Sequence, residues 1–310
     1  MKRILIIFSL LASLALSSRA QEPFFQLPIV PDSITTLDRR TNYLLEHYWD
    51  FCDLKKAFSA RQRMAQSFKD FIDLTPYGTA DVVHKSVDKF IKSIEKRPDD
   101  LLFIVHEAEA NLYADTSELI SDELFLPFAQ AAAKNKKIDK AERQRYERLA
   151  KILENCRTGL VAPDFEYTTR NGEKRRFEPD TTTMVVLFFN NMDCPDCDLT
   201  RVRLDADINV TRLIEAGKLK VVAISPTLPD GQWKEIVESY PSTWEVGASP
   251  EVNDLYDIRY YPSFFILNGD HKLYAKNVDI YSILATCQRL AARDLRDKHT
   301  APVSDSGTAE

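Results

Sequence analysis

Two cysteines separated by Pro195 and Asp196, in the run Cys194-Pro195-Asp196-Cys197, are the residues best spaced for chemistry in this chain. The apolar run Met184-Val-Val-Leu-Phe-Phe189 just upstream has the character of a strand buried on both faces. A helical pattern follows it, so Cys194 falls at a helix N-terminus. Free backbone N–H groups and the helix dipole there favour a thiolate. The second sulfur lies one turn further on, close enough to close a disulfide without backbone movement. Cys194 is the expected nucleophile, and Cys197 the thiol that resolves a mixed disulfide by attacking it. Pro195 suits the first helical turn, where its missing N–H costs nothing. Asp193 and Asp196 tune the same thiol in the opposite sense, since nearby carboxylates disfavour a second negative charge. No Lys, Arg or His lies between Phe188 and Thr200 to offset them. The expected potential is therefore near the reducing end of the dithiol range, about −270 mV.

Two other readings of the pair stay open. A static disulfide has the same spacing, and half of a zinc site would also use it. The zinc reading needs two further ligands at suitable spacing. The histidines His47, His84, His106, His271 and His299 are scattered, and no second closely spaced cysteine pair exists. No metal and no cofactor is expected. A redox pair outweighs both alternatives.

The elements that must position this pair divide by composition. From about Ser33 to Asn155 the chain reads as five or six antiparallel helices. Met64, Phe68, Phe71 and Ile72 recur at helical spacing, as do Val83, Val87, Phe90, Ile91 and Ile94. Pro76, Pro98 and Pro127 punctuate the run, Pro98 with Asp99 and Asp100 marking a helix start. No fixed-period repeat is present. After Gly159 the pattern becomes α/β. Asn171-Gly172 marks a hairpin between Glu166–Thr169 and Lys174–Phe177. Further strands are expected at Leu219–Ile224, Ser263–Leu267 and His271–Tyr274, with helices between them and a last helix from Ile280 to about Arg293. The resulting organisation is a leader over residues 1–20, a helical domain over 25–156, an α/β domain over 159–296 and a disordered polar tail over 297–310.

Composition excludes several classes. The chain has 310 residues, 41 Lys plus Arg against 47 Asp plus Glu, and 44% apolar residues, so no basic excess points to nucleic acid. Only Gly78 precedes Gly159, which leaves no glycine-rich phosphate loop in the helical half. Lys2 and Arg3, the apolar run Ile4–Leu16 and the small residues Ser18 and Ala20 form a secretory signal cleaved after Ala20. That run of thirteen residues falls short of the ~20 that span a bilayer. Export to the periplasm, as a protein that does not span the membrane once the signal is removed, is the expectation. That oxidising compartment lets cysteine pairs become disulfides.

With these residues in view, the segment from Gly159 to Arg293 resembles the thioredoxin superfamily, most closely its exported TlpA/ResA-like thiol–disulfide oxidoreductases. Gly159-Leu-Val-Ala-Pro-Asp-Phe165 is similar to the opening segment of those proteins. The strand–Cys-Pro-Asp-Cys–helix unit matches, and Tyr260-Tyr261-Pro262-Ser263-Phe264 sits where that fold carries its cis-proline loop. The resemblance implies a thioredoxin-like fold behind an all-α domain. It also implies that Tyr261–Pro262 is cis, faces the dithiol and binds substrate. The activity implied is thiol–disulfide exchange; at the reducing potential expected above, the protein would reduce or isomerise protein or peptide disulfides and depend on a membrane electron donor in its oxidising compartment. Three positions depart from the pattern: Asp193 stands where a Trp is frequent, Phe188 where many members bury an acid, and Asp196 lies between the two cysteines. The helical half resembles a domain of unknown function that precedes thioredoxin domains in exported Bacteroidota proteins.

Two competing functions remain. One is a partner-binding module on a thioredoxin-like scaffold with a static disulfide, motivated by Phe188 and Asp193. The other is a peroxiredoxin, disfavoured because Asn190-Asn191-Met192-Asp193 lacks the Pro and Thr that precede a peroxidatic cysteine. Cys287 fits a buried helical stripe, and a Cys52–Cys156 bridge is left open. Tyr43, Tyr48, Trp49 and Phe51 read as helix packing. Glu46-His47 and His106-Glu107 read as solvated surface, because adjacent helical residues do not face each other.

Overall fold

A computed structural model describes residues 24–178, 183–191 and 193–300, the last four by backbone alone. The expected leader over 1–20 and residues 301–310 of the expected tail lie outside the described residues. The chain divides into two compact units, one ending at Glu147 and the other starting at Arg148.

The first unit is helical. Its elements are α1 (Leu37–His47), the single turn α2 (Leu54–Ala57), α3 (Arg61–Leu74), α4 (Ala80–Ile94), α5 (Pro98–Leu112) and α6 (Asp122–Lys134), with α7 (Lys140–Asn155) crossing the division. The stripes expected from the sequence face inward: Met64, Phe68, Phe71, Val87, Phe90 and Ile94 are all buried. Burying each such side chain contributes roughly 1.5–3 kcal/mol. Phe68 stacks on Phe90 and meets the edge of Phe128, which ties α3, α4 and α6 into one core. Pro98 opens α5 as expected. Pro127 does not punctuate the chain; it lies inside α6. Ser121 caps that helix through Leu124 N, and the buried Phe125, Phe128, Ala129 and Ala132 carry it past the proline.

The second unit is built on a seven-stranded mixed sheet. The strands are β1 (Phe165–Thr169), β2 (Lys174–Phe177), β3 (Met184–Phe189), β4 (Leu219–Ser225), β5 (Glu245–Ala248), β6 (Ser263–Leu267) and β7 (Leu273–Val278), in spatial order β2-β1-β5-β4-β3-β6-β7. β3, β4 and β5 run parallel to one another, while β6 is antiparallel to β3 and β1 to β5. The side-chain alternation of a strand sorts β3 between two cores. Val186 and Phe188 join one cluster with Leu204, Val210, Trp233 and Ile283. Val185, Leu187 and Phe189 join the other with Phe165, Tyr167 and Tyr256. The first cluster draws on α8 (Pro195–Asp205), α9 (Ile208–Glu215), α10 (Gly231–Val237) and α12 (Ile280–Thr300); α11 (Val252–Leu255) adds Val252 to the second.

Four differences from the sequence reading have local causes. The helical stretch before β4 is two helices, broken where Asp207 caps α9 through the N–H groups of Asn209 and Val210. β5, not foreseen, sits inside the sheet between β1 and β4. Its Gly247 admits Tyr167, since a Cβ there would lie 2.3 Å from the tyrosine ring. β7 starts at Leu273 because Asn268 accepts the backbone N–H groups of Asp270 and Lys272 and holds the turn open past His271. Finally, α12 continues to Thr300, so residues 297–300 extend the helix where a disordered tail was expected.

Candidate active site

The sheet topology brings two loops to one end. Phe189, the last residue of β3, pairs with Ser263, the first of β6. The chain leaving β3 toward Cys194 and the chain arriving through Pro262 therefore share that end. The peptide bond between Tyr261 and Pro262 is cis. Cys194 and Tyr261 both pack against the same core cluster.

Cys194 is the N-cap of α8, with extended backbone, and Pro195 occupies the first turn. The Cys194 Sγ accepts the Cys197 backbone N–H at 3.1 Å, so the helix start directs a donor at that sulfur. Cys194 and Cys197 are joined as a disulfide with Cα atoms 5.2 Å apart. Their environments differ. Cys194 is half-buried, whereas Cys197 is 2% exposed and packs in the core with Phe188, Leu204 and Phe264. Only the first sulfur is placed to meet an incoming disulfide, and the second is close enough to displace it.

Asp193, Asp196 and Asp198 are all exposed around this turn. Asp193 accepts a long hydrogen bond from the Gln232 amide at 3.4 Å. Among the described residues neither Asp193 nor Asp196 makes an ion pair. The cation nearest in sequence, Arg201, is engaged elsewhere: it lies 3.5 Å from Asp198, donates to Ser239 O at 2.6 Å and covers the Tyr240 ring. Phe188, six residues before Cys194, is fully buried and stacks on Phe264 at 4.7 Å. Among the described residues no group of three or more His, Cys, Asp or Glu side chains gathers as an ion cage.

Three further residues hold the loops at this end. Asn190 holds the loop leaving β3, donating its backbone N–H to Ile224 O and its side-chain amide to Phe188 O, both at 3.2 Å, while its Oδ1 accepts the Tyr240 hydroxyl. Asp257 is buried with Arg259 and Lys276, at 2.8 and 3.0 Å, just before the Pro262 loop. Asn277 in β7 meets that loop from the neighbouring strand. Asp257, between Tyr256 and Ile258 and two residues before Arg259, was the clue available in the sequence, since an acid inside an apolar α/β run demands a partner.

The other candidates resolve simply. Cys52 is a free thiol, so the Cys52–Cys156 bridge does not form; Cys156 is buried among Phe165 and Phe177 in the second unit. Cys287 is buried in the core, as expected. Tyr48 and Trp49 pack with Phe71 and Phe90, but Phe51 is 59% exposed and belongs to no core. His47 pairs with Asp50, not Glu46, and His106 faces Glu142, not Glu107.

Residues 12–155 match DUF5106, a domain of unknown function. No curated protein matches the chain. Among solved structures, a thioredoxin-like protein from Bacteroides caccae superposes with a TM-score of 0.69 at 22% identity, over 86% of this chain and 98% of that one. A conserved protein of unknown function from Bacteroides fragilis aligns at 26% identity over 42% of this chain and 98% of that one, with a TM-score of 0.40. The thioredoxin domain of a thiol-disulfide oxidoreductase from Bacteroides vulgatus aligns at 18% identity over 44% and 98%, with a TM-score of 0.39. Among the described residues no helix is long and apolar enough to cross a membrane. The first superposition shows the fold: a segment similar to DUF5106 is followed in this chain by a domain of thioredoxin-like fold.

Proposed function

We propose that this protein is an exported thiol–disulfide oxidoreductase that reduces or isomerises disulfides in proteins or peptides. The observation that carries the reading is the unequal placement of the two sulfurs. Cys194 is half-buried at a helix N-cap, and Cys197 is sealed behind it. In the reducing direction the pair starts as a dithiol. The Cys194 thiolate attacks one sulfur of a substrate disulfide, forming a mixed disulfide and releasing the other substrate sulfur as a thiolate that takes a proton. Cys197, having lost its proton, attacks Cys194. The second substrate thiol leaves, and the protein is left with the Cys194–Cys197 disulfide. Two electrons have passed to the substrate, and an external dithiol donor at the membrane returns them. Pro262 and Tyr261, at the same sheet end, offer backbone against which an extended substrate can lie. The basic start and short apolar run of residues 2–20 support export.

The test is trapping. In cells producing the Cys197→Ala variant, acid quench and non-reducing separation should reveal other proteins covalently held at Cys194, and reductant should release them. The same material should begin at Gln21 by mass spectrometry if the leader is cleaved. A variant that traps nothing, together with a wild-type disulfide that glutathione buffers cannot reduce near thioredoxin-like potentials, would favour a scaffold with a static disulfide instead.

A further inference from the structure

One residue on the edge strand β7 reaches three residues of the segment that carries Pro262, two through its side chain and one through its backbone. Between Phe264↔Val278 and Ile266↔Ala275 the β6–β7 register shifts, leaving an extra residue on β7. Asn277 lies in that bulge with φ 49°, a left-handed conformation that asparagine tolerates better than most residues. Bulges re-aim side chains next to active sites, and this one turns Asn277 toward the preceding loop. Its Nδ2 donates to Asp257 O at 2.8 Å and lies 3.4 Å from Asp257 Oδ2. Its Oδ1 accepts the Ser263 hydroxyl at 2.8 Å. Its backbone carbonyl accepts the Tyr260 hydroxyl at 2.5 Å. Both ends of the segment Asp257–Ser263 are thus fastened to one residue, and Tyr261 and Pro262 sit between the fastened points. Asp257 is itself held by Arg259 and Lys276, whose side chains are 6% and 12% exposed, so the anchor is buried.

We propose that Asn277 is a positioning residue that holds the Tyr261–Pro262 segment in the geometry that receives a substrate strand. The inference rests on the oxidoreductase reading above for its function, but its physical content is separate. An extended substrate gains from a backbone already in place, because ordering a loop on binding costs free energy that a fastened loop has already lost. Asn277 touches neither sulfur, so loosening it changes substrate binding and leaves the dithiol's own equilibrium alone.

Asn277→Gly removes the amide while keeping a residue that adopts positive φ readily. The expected result is a rise of about tenfold in KM for a disulfide-bonded peptide, the scale of two lost hydrogen bonds, with kcat and the glutathione-equilibrated potential unchanged. Ser263→Ala, which removes a single contact, should raise KM less, and should add nothing in the Asn277→Gly background. An unchanged KM in Asn277→Gly, a shifted potential, or fully additive effects of the two substitutions would overturn the proposal. Backbone ¹⁵N relaxation of the oxidised protein gives a readout that needs no activity. Order parameters at Tyr260, Tyr261 and Ser263 should fall in Asn277→Gly while those of β3 stay constant. If the wild type reduces no disulfide, the oxidoreductase reading fails alone. Unchanged order parameters would overturn the role of Asn277 whatever the activity.

Discussion

The Tyr240 hydroxyl donates to Asn190 Oδ1 at 3.0 Å, and the two side chains are 8% and 5% exposed. This bond joins the residues that follow α10 to the loop leading from β3 to Cys194, and Arg201 covers the Tyr240 ring. Burial pushes the Tyr240 phenol up to about 12, against about 10 in an unfolded chain. The phenol is therefore neutral in the folded protein, and the stability tied to that neutrality is complete below pH 10. It is lost as pH rises from 10 toward 12, because the folded state then holds a proton that the unfolded state has released. Tyr240→Phe should lower stability near neutral pH by about 1–3 kcal/mol, the cost of leaving the buried Asn190 oxygen without this donor. It should also make the decline from pH 10 to 12 shallower. Urea unfolding at a series of pH values measures both, and parallel declines in the two proteins would refute the pH component.

Thiol labelling separates the cysteines by burial. In the reduced protein near neutral pH, iodoacetamide should modify Cys194 first. Cys197 is sealed in the core, and burial pushes the Cys52 and Cys287 thiols up to about 11 and about 12, which keeps them protonated. Peptide mass mapping over a time course gives the order. Faster labelling of Cys197 would reverse the two roles assigned to the pair.

The acids flanking the pair should set its potential. Among the described residues no ion pair neutralises Asp193 or Asp196, and both are exposed. Asp193→Asn and Asp196→Asn should each favour the thiolate and move the pair toward the oxidising end. The shift should be small, about 10–20 mV, because exposed charges are well screened. Equilibration against glutathione reads it, and a shift in the reducing direction would contradict the electrostatic reading. The wild type itself should lie nearer −270 mV than −120 mV, the values of thioredoxin and DsbA.

Much of the fold and the placement of the cysteine pair could be read directly from residue order. The helical stripes of α3 and α4, the hairpin at Asn171-Gly172, and β3 with its bounds all depend on side-chain periodicity and turn chemistry, which are local properties. The position of Cys194 at a helix start is local too, since it follows from a strand ending and a proline in the next turn. What residue order could not supply was anything that depends on which strands become neighbours. β5 is four residues long and contains a glycine, so it has no strand signature of its own; the parallel edge of β4 and the ring of Tyr167 make it one. Phe188 could be seen as a departure from an acid, but only its stack on Phe264 shows that the space is filled with aromatic carbon. Asn190 and Tyr240 are 50 residues apart, and Asn277 and Asp257 are 20 apart. No periodicity links such pairs. Their hydrogen bonds exist because folding withdraws them from water, and a buried polar group must then find a partner wherever the sheet has brought one.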